Sequence, residues 1–467
     1  MINQLLSVQS VMKNVGYVAI AILILLVMIT VHEAGHYFVG KLFKFKINEF
    51  AIGMGPAVFK KQLKSGEYFS IRIFPLGGFC AFEGEDGGAE DENSFDKKKP
   101  WQRILVLLAG ATMNYVLAVI VIMMTFGIYG QQVMGASVVN DGVSTESSLR
   151  NGDYILSIEN NGKKTGIYLT TDFITALNHS KKGDTVTVEV VRGENGKAGG
   201  KSEYRTVVLA NDVECKNMLE VYKAYSALGI GSALSIDETS EKGFLKGDYL
   251  LKIGGSEDYK EASFINDETE FYNFVKDKTS GDTLWFFVSR PNATERVVID
   301  VVLGDEWAAV DKTSAESVEN YFGLKFGEKE YYLGSAYARL GFFPLIGRSF
   351  VYSFKIAGTV FRSLGQLITG RIGLNAVGGT VTTIKTASQL ISYGAFFALQ
   401  ITAFIGVNLA VFNLLPIPAL DGARIVFCLI EWIFKKPVNR KVEAIIHTVG
   451  LIMLLGFAIL VDILQFI

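Results

Sequence analysis

Hydrophobic positions along the chain fall into two regimes. Towards both ends they run together: residues 15–38, 104–129, 393–415 and 442–462 are apolar stretches long enough to cross a bilayer as helices. Between Gln131 and Leu340 they are short, alternate with polar positions and are broken by turn residues, the pattern of strands and small helices in a soluble unit. A further apolar stretch, FFPLIGRSFVYSFKIAGTVFRSLGQLITG from Phe342, is interrupted by Arg348, Lys355, Arg362 and Gln366. It reads as an interfacial or bundle-packed helix. The expected architecture is a multi-domain membrane protein with about four transmembrane helices, a membrane-associated β-hairpin and two inserted α+β domains.

The hairpin is expected between Lys41 and Trp101. Gly53, Gly55 and Pro56 bend the segment NEFAIGMGPAVFKKQ. Alternation around Tyr68–Phe74, after the turn Lys64–Gly66, predicts the returning strand. Two readings stand: an ordinary cytoplasmic hairpin, or a β-element that dips into the membrane and pairs with an extended peptide by strand addition. Residues 83–100 are acidic and then basic, as in a solvated loop.

The soluble middle repeats itself. LRNGDYILSIENNGK (149–163) matches FLKGDYLLKIGGSED (244–258), and TDFITALNHSKKGDTVTVEVVR (171–192) matches TEFYNFVKDKTSGDTLWFFVSR (269–290). Two matched blocks in the same order predict a duplicated domain. Each copy looks like a PDZ domain, a module that binds peptide ends by adding a strand. His179, in a polar turn, reads as a surface residue. The expected boundaries are 1–130 for the N-terminal membrane half, 131–215 and 216–320 for the two copies, 321–385 for an interfacial helix and connector, and 386–467 for the C-terminal membrane half.

Composition agrees with spans joined to a soluble portion. The 467 residues are 49% hydrophobic yet 20% charged, with a mean hydropathy of +0.30. A net charge of −2 gives no reason to expect nucleic-acid binding. Cys80, Cys215 and Cys428 are isolated, so neither a disulfide framework nor a cysteine zinc site is indicated. The first apolar run has only Lys13 before it and does not read as a cleaved signal peptide. Lysines from Lys41 to Lys99 place the 41–100 loop on the cytoplasmic side, and Arg424, Lys435, Lys436, Arg440 and Lys441 place 417–441 there too. Both termini and the duplicated domains then lie outside.

The chemistry is carried by His32-Glu33-Ala34-Gly35-His36, which closes the first span. Histidines four apart share a helix face and can hold one zinc ion, with Glu33 as general base. Ionisable groups in such a helix are costly unless they face an interior cavity and have partners. A third ligand is needed at similar depth. Asp421, between Pro418 and the end of the third span on one side and Gly422 on the other, fits. Asp462 competes from the outer end of the fourth span, and His447 is a spare. Asn413 is placed to donate to a substrate backbone or a developing oxyanion. Asn114 either hydrogen-bonds a neighbouring helix or orients a group at the active centre.

HEAGH in the first span, FAIGMGP, PLGGF followed by GED, Gly110-x-x-x-Asn114, the PDZ-like copies and NLLPIPALDG, in that order, resemble the site-2 protease family. The nearest branch is the bacterial regulator-of-sigma-E type. The resemblance implies one zinc ion on His32, His36 and Asp421, catalysis by Glu33, and hydrolysis of peptide bonds within the membrane. It implies substrate handling by the 45–80 hairpin, with Gly53 and Gly55, and by Asn413, Pro416 and Pro418, with Asn114 beside them. Substrates would be single-span membrane proteins, anti-sigma factors or signal-peptide remnants, cut first outside the bacterial cytoplasmic membrane.

Three positions depart from the family pattern: Gly422-Ala423-Arg424 after the aspartate, Val377-Gly378-Gly379-Thr380 before the third span, and GVSTESSLRNGD opening the first copy. The last favours size exclusion over peptide binding for that copy. Two competing readings remain at this level. One is a catalytically silent membrane scaffold, against which the intact Glu33 argues. The other is a transporter, against which four spans and no inverted repeat argue.

Overall fold

A computed structural model gives the architecture. It describes residues 2–85, 91–136, 149–150, 152–194, 197–216, 218–230, 232–258, 261–265, 268–290, 297–331, 333–371, 373, 378–436 and 438–465. The acidic run 86–90, the opening 142–148 of the first repeat and Val377 lie outside the described residues. The chain forms two compact units, one of residues 1–129 with 341–467 and one of residues 130–340.

The first unit begins with α1 (Ile2–Leu42), a helix that continues through HEAGH without a break. Strands β1 (Ile47–Gln62) and β2 (Tyr68–Phe82) follow as an antiparallel pair. The sheet is more curled than a plain hairpin: Ala51 is flanked by Ser70 on one side and Phe79 on the other. Gly53 and Gly55 make this possible. Both have φ near +85, and a Cβ on Gly53 would meet the carbonyl oxygens of Phe74 and Arg72 at 2.8 and 2.9 Å. Only glycine takes that backbone cheaply.

The base of the sheet is tied to α1 through Glu67, which is 2% exposed. Its Oε1 lies 2.7 Å from Lys41 Nζ and accepts from the Tyr37 hydroxyl at 2.8 Å. Burial pushes this carboxyl up, but the Lys41 ammonium, a backbone N–H, Tyr37 and Ser65 outweigh it and hold it down at about 2.

Helix α2 (Pro100–Ile128) starts on proline, which suits a first turn that has no N–H acceptor to satisfy. It is the central helix of this unit.

The second unit carries the repeat. Its first sheet holds β3 (Gln131–Ala136), β4 (Asp153–Asn160), β5 (Lys163–Gly166), β6 (Thr185–Glu194), β7 (Lys197–Ala198) and β8 (Glu203–Val208), with helices α3 (Thr171–Leu177) and α4 (Tyr222–Ala227). Its second sheet holds β9 (Ser232–Ile236), β10 (Tyr249–Gly254), β11 (Ser263–Phe264), β12 (Thr283–Ser289), β13 (Val297–Val302) and β14 (Phe326–Tyr331), with α5 (Glu268–Val275) and α6 (Ala315–Phe322). A last strand, β15 (Leu333–Ala338), returns to the first sheet beside β3.

The matched blocks make matched contacts. Asp153 and Asp248 are both fully buried. Asp153 pairs with Arg192 at 3.0 Å, and Asp248 with Arg290 at 2.8 Å. Each also accepts from the backbone three residues back, Arg150 N–H at 2.9 Å and Leu245 N–H at 2.8 Å. Asp184 and Asp282 repeat that turn, each accepting at 2.8 Å. A buried carboxylate must be paired and hydrogen-bonded to be tolerated, so each copy keeps the whole set.

The expected boundaries at 215 and 320 both move. Ala224, Tyr225 and Leu228 complete the core around Phe173 and Val188, so the first copy runs to about residue 230. Phe322 and Leu324 lie in the second core with Phe271 and Trp307, and β14 and β15 fill much of the expected connector. Short closing elements lack the alternation that marks the earlier strands. His179 is exposed in its turn, as expected.

The first unit resumes with α7 (Phe342–Ile368), α8 (Thr380–Ser392), α9 (Ala395–Leu414), α10 (Asp421–Phe434) and α11 (Arg440–Leu464). Among the described residues, four helices are long and apolar enough to cross a membrane: Lys13–Leu42, Pro100–Ile128, Ala395–Leu414 and Lys441–Leu464. They match the four expected spans. Their outward faces carry Leu23, Ile120, Met124, Ile452 and Met453, all about half exposed or more, as suits lipid. Helix α7 is the bundle-packed one. Ile356 and Val360 pack with Ala118, Ile122 and Phe126 of α2 and with Ala403, Val407 and Val411 of α9. Arg103 of α2 is fully buried and pairs with Glu431 at 2.5 Å, which ties α10 to α2.

Candidate metal centre

The site is built where α1, α2 and the start of α10 meet. Four-residue spacing brings the His32 and His36 rings edge to face, 4.7 Å apart, with their Nε2 atoms 3.1 Å apart. Both residues are buried, at 8% and 6% exposure. Asp421 is the first residue of α10. Its Oδ2 lies 3.1 Å from His32 Nε2 and 3.3 Å from His36 Nε2. Among the described residues this is the one trio of His, Cys, Asp or Glu atoms gathered closely enough for an ion.

The trio fits zinc on its own geometry. Ligands about 2.0–2.2 Å from a tetrahedral zinc lie about 3.4 Å from one another, close to the three observed edges. The tautomer agrees. His36 Nδ1 lies 2.8 Å from the Val106 carbonyl oxygen, which can only accept, so Nδ1 carries the proton and the Nε2 lone pair faces inward. An imidazole lone pair and a carboxylate oxygen converging in a buried space repel unless a cation or proton sits among them.

Backbone shape makes room for the rings. A Cβ on Gly110 of α2 would lie 2.5 Å from His36 Nε2 and 2.7 Å from His32 Cε1. The glycine of the Gly110-x-x-x-Asn114 motif therefore clears space for the imidazoles. Glu33 points to the same space. Its Oε2 accepts from the backbone N–H of Cys80 in β2 at 2.9 Å, and a Cβ on Gly78 would lie 3.5 Å from Glu33 Cγ.

A cavity of about 450 Å³ is lined by His32, Glu33, His36, Asp421, Asn114 and Asn413, among others. Asn114 is fully buried, and neither side-chain atom has a hydrogen-bond partner among the described residues. Of the other expected site residues, Gly53, Gly55, Pro416 and Pro418 do not line this cavity. The glycines curl the sheet. The prolines shape the connection from α9 to α10, where Ala419 has φ +80, a conformation that costs about 1–3 kcal/mol in a residue with a Cβ.

The two competing ligands have other work. Asp462 accepts from the backbone N–H groups of Val381 and Thr382, both at 3.0 Å, and so caps α8 from α11. His447 Nδ1 accepts from Ala419 N–H at 2.9 Å. Sequence reasoning missed the Val106 carbonyl, the Cys80 N–H and this Ala419 contact, because backbone partners leave no mark in side-chain spacing. It also missed the ion pair of Arg424 with Glu85, 3.2 Å apart at the cavity wall.

The chain is similar to known proteins over nearly its whole length. The chain is 30% identical over 451 residues, 96% of its length and 97% of the relative's, to a Clostridium perfringens protein named "Putative zinc metalloprotease". It is 25% identical over 463 residues, 94% of its length and 96% of the relative's, to the "Regulator of sigma E protease" of Haemophilus influenzae. A Thermotoga maritima protein, also named "Putative zinc metalloprotease", is 28% identical over 497 aligned positions, with 93% and 95% covered. The model of peptidase family M50 matches residues 20–457. With a HEAGH helix, four apolar helices and a match across nearly its whole length, the chain belongs to peptidase family M50 and is a metalloprotease.

Proposed function

We propose that the protein is an intramembrane endopeptidase that holds one zinc ion on His32, His36 and Asp421 and uses Glu33 as general base and acid. The observation that carries this reading is the close triangle of His32 Nε2, His36 Nε2 and Asp421 Oδ2 in a cavity that Glu33 also lines. Zinc, when bound, supplies Lewis-acid activation of water and of the scissile carbonyl.

The chain's own groups do the rest. The Glu33 carboxylate takes a proton from the attacking water and delivers it to the leaving amine as the C–N bond breaks. The Cys80 N–H holds that carboxylate in place. Asn413 and Asn114 offer amide donors and acceptors to a peptide backbone or to the developing oxyanion. Gly53, Gly55, Pro416 and Pro418 act one step back, by shaping the sheet and the connection that border the cavity.

Four spans and a cavity at the inner end of the first span suit a substrate that is itself a single-span membrane protein. The relative named for sigma E regulation supports anti-sigma factors as one such class. The PDZ-like copies serve to exclude bulky substrates, so that a prior extracytoplasmic cut is required. The positive charges of the 41–100 loop support a cytoplasmic position for it, in a bacterial cytoplasmic membrane.

The test is cleavage of a single-span model peptide in detergent by wild type and by Glu33→Gln, with zinc content measured on both. Cleavage lost with zinc retained supports the assignment. Zinc-loaded wild type that leaves intact and trimmed peptides uncut overturns it.

A further inference from the structure

The connection that delivers Asp421 is held from α11 at two points one turn apart. At the first, His447 Nδ1 accepts a 2.9 Å hydrogen bond from Ala419 N–H. At the second, Gly450 is buried against Pro418, where a Cβ would lie 2.9 Å from the Pro418 carbonyl carbon and oxygen and closer still to its Cβ. The first of these points is on the strained residue itself: Ala419, two before Asp421, has φ +80. A residue with a Cβ stays in that conformation only where its surroundings impose it. The Ala419 hydrogen bond shows His447 to be such an imposing group. The ring also stands edge-on to Phe427 of α10, with centroids 5.7 Å apart.

We propose that His447 is a positioning residue for the third metal ligand. By accepting from Ala419 N–H, it holds the 416–420 connection in the conformation that presents Asp421 Oδ2 to His32 and His36. It is not itself a ligand: with Nδ1 accepting from the backbone, Nε2 carries the ring proton and has no lone pair to offer a metal. The inference rests on the zinc reading above. A ligand delivered by a left-handed alanine relaxes away from the histidines once the bond that imposes the conformation is gone, so metal affinity falls while the other two ligands stay in place.

The test is the zinc affinity of the full chain in detergent, measured by competition with a chelator, on wild type and four variants. His447→Ala is expected to bind zinc about tenfold more weakly or worse, the loss typical of removing a supporting partner. His447→Asn keeps an acceptor near the Nδ1 position and is expected within about threefold of wild type. Ala419→Gly, which adopts positive φ without strain, is expected to leave affinity unchanged alone and to recover part of the loss when combined with His447→Ala.

Equal affinity in wild type and His447→Ala overturns the inference and leaves the zinc reading standing. An equal loss in the alanine and asparagine variants also overturns it, since ring bulk and not the accepted hydrogen bond would then matter. If His447→Ala does not fold, His447→Leu, which fills the space and offers no acceptor, is measured in its place, and an affinity equal to that of wild type overturns the inference. A wild type that binds no zinc overturns the zinc reading itself.

Discussion

The backbone N–H of Cys80 donates to Glu33 Oε2 across 2.9 Å, and that bond joins the curled sheet to the group assigned as general base. It comes from the main chain, so the identity of the side chain at position 80 is free to vary while the contact persists. A hydrogen bond to a charged group is worth about 1.5–3 kcal/mol, or roughly ten- to a hundredfold in rate if it is needed in the transition state. Cys80→Ala keeps the N–H and is expected to hold kcat within about threefold of wild type. Cys80→Pro removes it and is expected to lower kcat at least about tenfold with zinc content unchanged. Single-turnover cleavage of a model peptide measures both.

Gly110 gives a second expectation. A methyl group there would overlap both imidazoles, at 2.5 and 2.7 Å, and the Arg103–Glu431 pair two turns earlier resists a shift of α2. Gly110→Ala is expected to weaken zinc binding about a hundredfold or more. On the same helix, a Cβ on Gly127 meets only Leu345 at an ordinary 3.8 Å. Gly127→Ala is therefore the control, with zinc affinity unchanged and stability equal or slightly raised. Chelator competition on both variants checks the contrast.

How far the chain could be read in advance follows from what kind of signal each part leaves. The spans were legible because lipid demands long uninterrupted apolar runs. The trio was legible because His32 and His36 sit at helical spacing and Asp421 stands next to a proline-bound turn. The repeat was legible from Gly-Asp-Tyr and Gly-Asp-Thr, and both aspartates turn out to serve the same buried ion pairs or turns in each copy. What escaped is what the backbone does. The positive φ of Ala419, the Val106 carbonyl behind His36 and the return of β15 beside β3 arise from chain geometry and long-range pairing. None of them has a local side-chain signature.

Asn114 is buried in the wall of the cavity with no hydrogen-bond partner among the described residues. Burying an amide unsatisfied costs about 1–3 kcal/mol, so a purely structural asparagine at this point would be a poor choice. Asn114→Leu removes that cost and is expected to leave the unfolding temperature equal or higher. If the amide serves the substrate, kcat/KM falls about tenfold or more. Thermal unfolding and peptide cleavage on one preparation separate the two effects, and a leucine variant with full activity would assign the residue to packing.

The Glu67 anchor predicts a pH dependence. Its carboxyl is held at about 2 in the fold, below its ordinary value of 4.5. A lowered acid contributes stability that is complete above the unfolded value and is lost as pH falls through the folded one. Glu49, held at about 2 against burial by Ser70, Arg72 and Lys60, behaves alike. Hydrogen-exchange protection of the 68–72 amides, corrected for intrinsic rates, is expected to be flat above about pH 5 and to fall between about pH 4.5 and 2. Glu67→Gln is expected to start lower and fall less steeply, with Glu49 alone still titrating.

Asp462 separates a cap from a ligand. Its carboxylate serves Val381 N–H, Thr382 N–H and the Thr382 hydroxyl, at 3.0, 3.0 and 2.8 Å, and so closes the N-terminus of α8 from another helix. Helix α8 in turn packs Ala387 and Ile391 against Ala21 of α1, the helix that carries the two histidines. Asp462→Ala is expected to cost about 0.5–2 kcal/mol of stability. Because the cap acts on α8 and not on the trio, zinc affinity should stay within about threefold of wild type, whereas Asp421→Ala should lose zinc outright while α8 keeps its cap. Chelator competition and thermal unfolding on the pair give opposite patterns if the assignments are right. An Asp462→Ala protein that folds as wild type but no longer binds zinc would make it the third ligand.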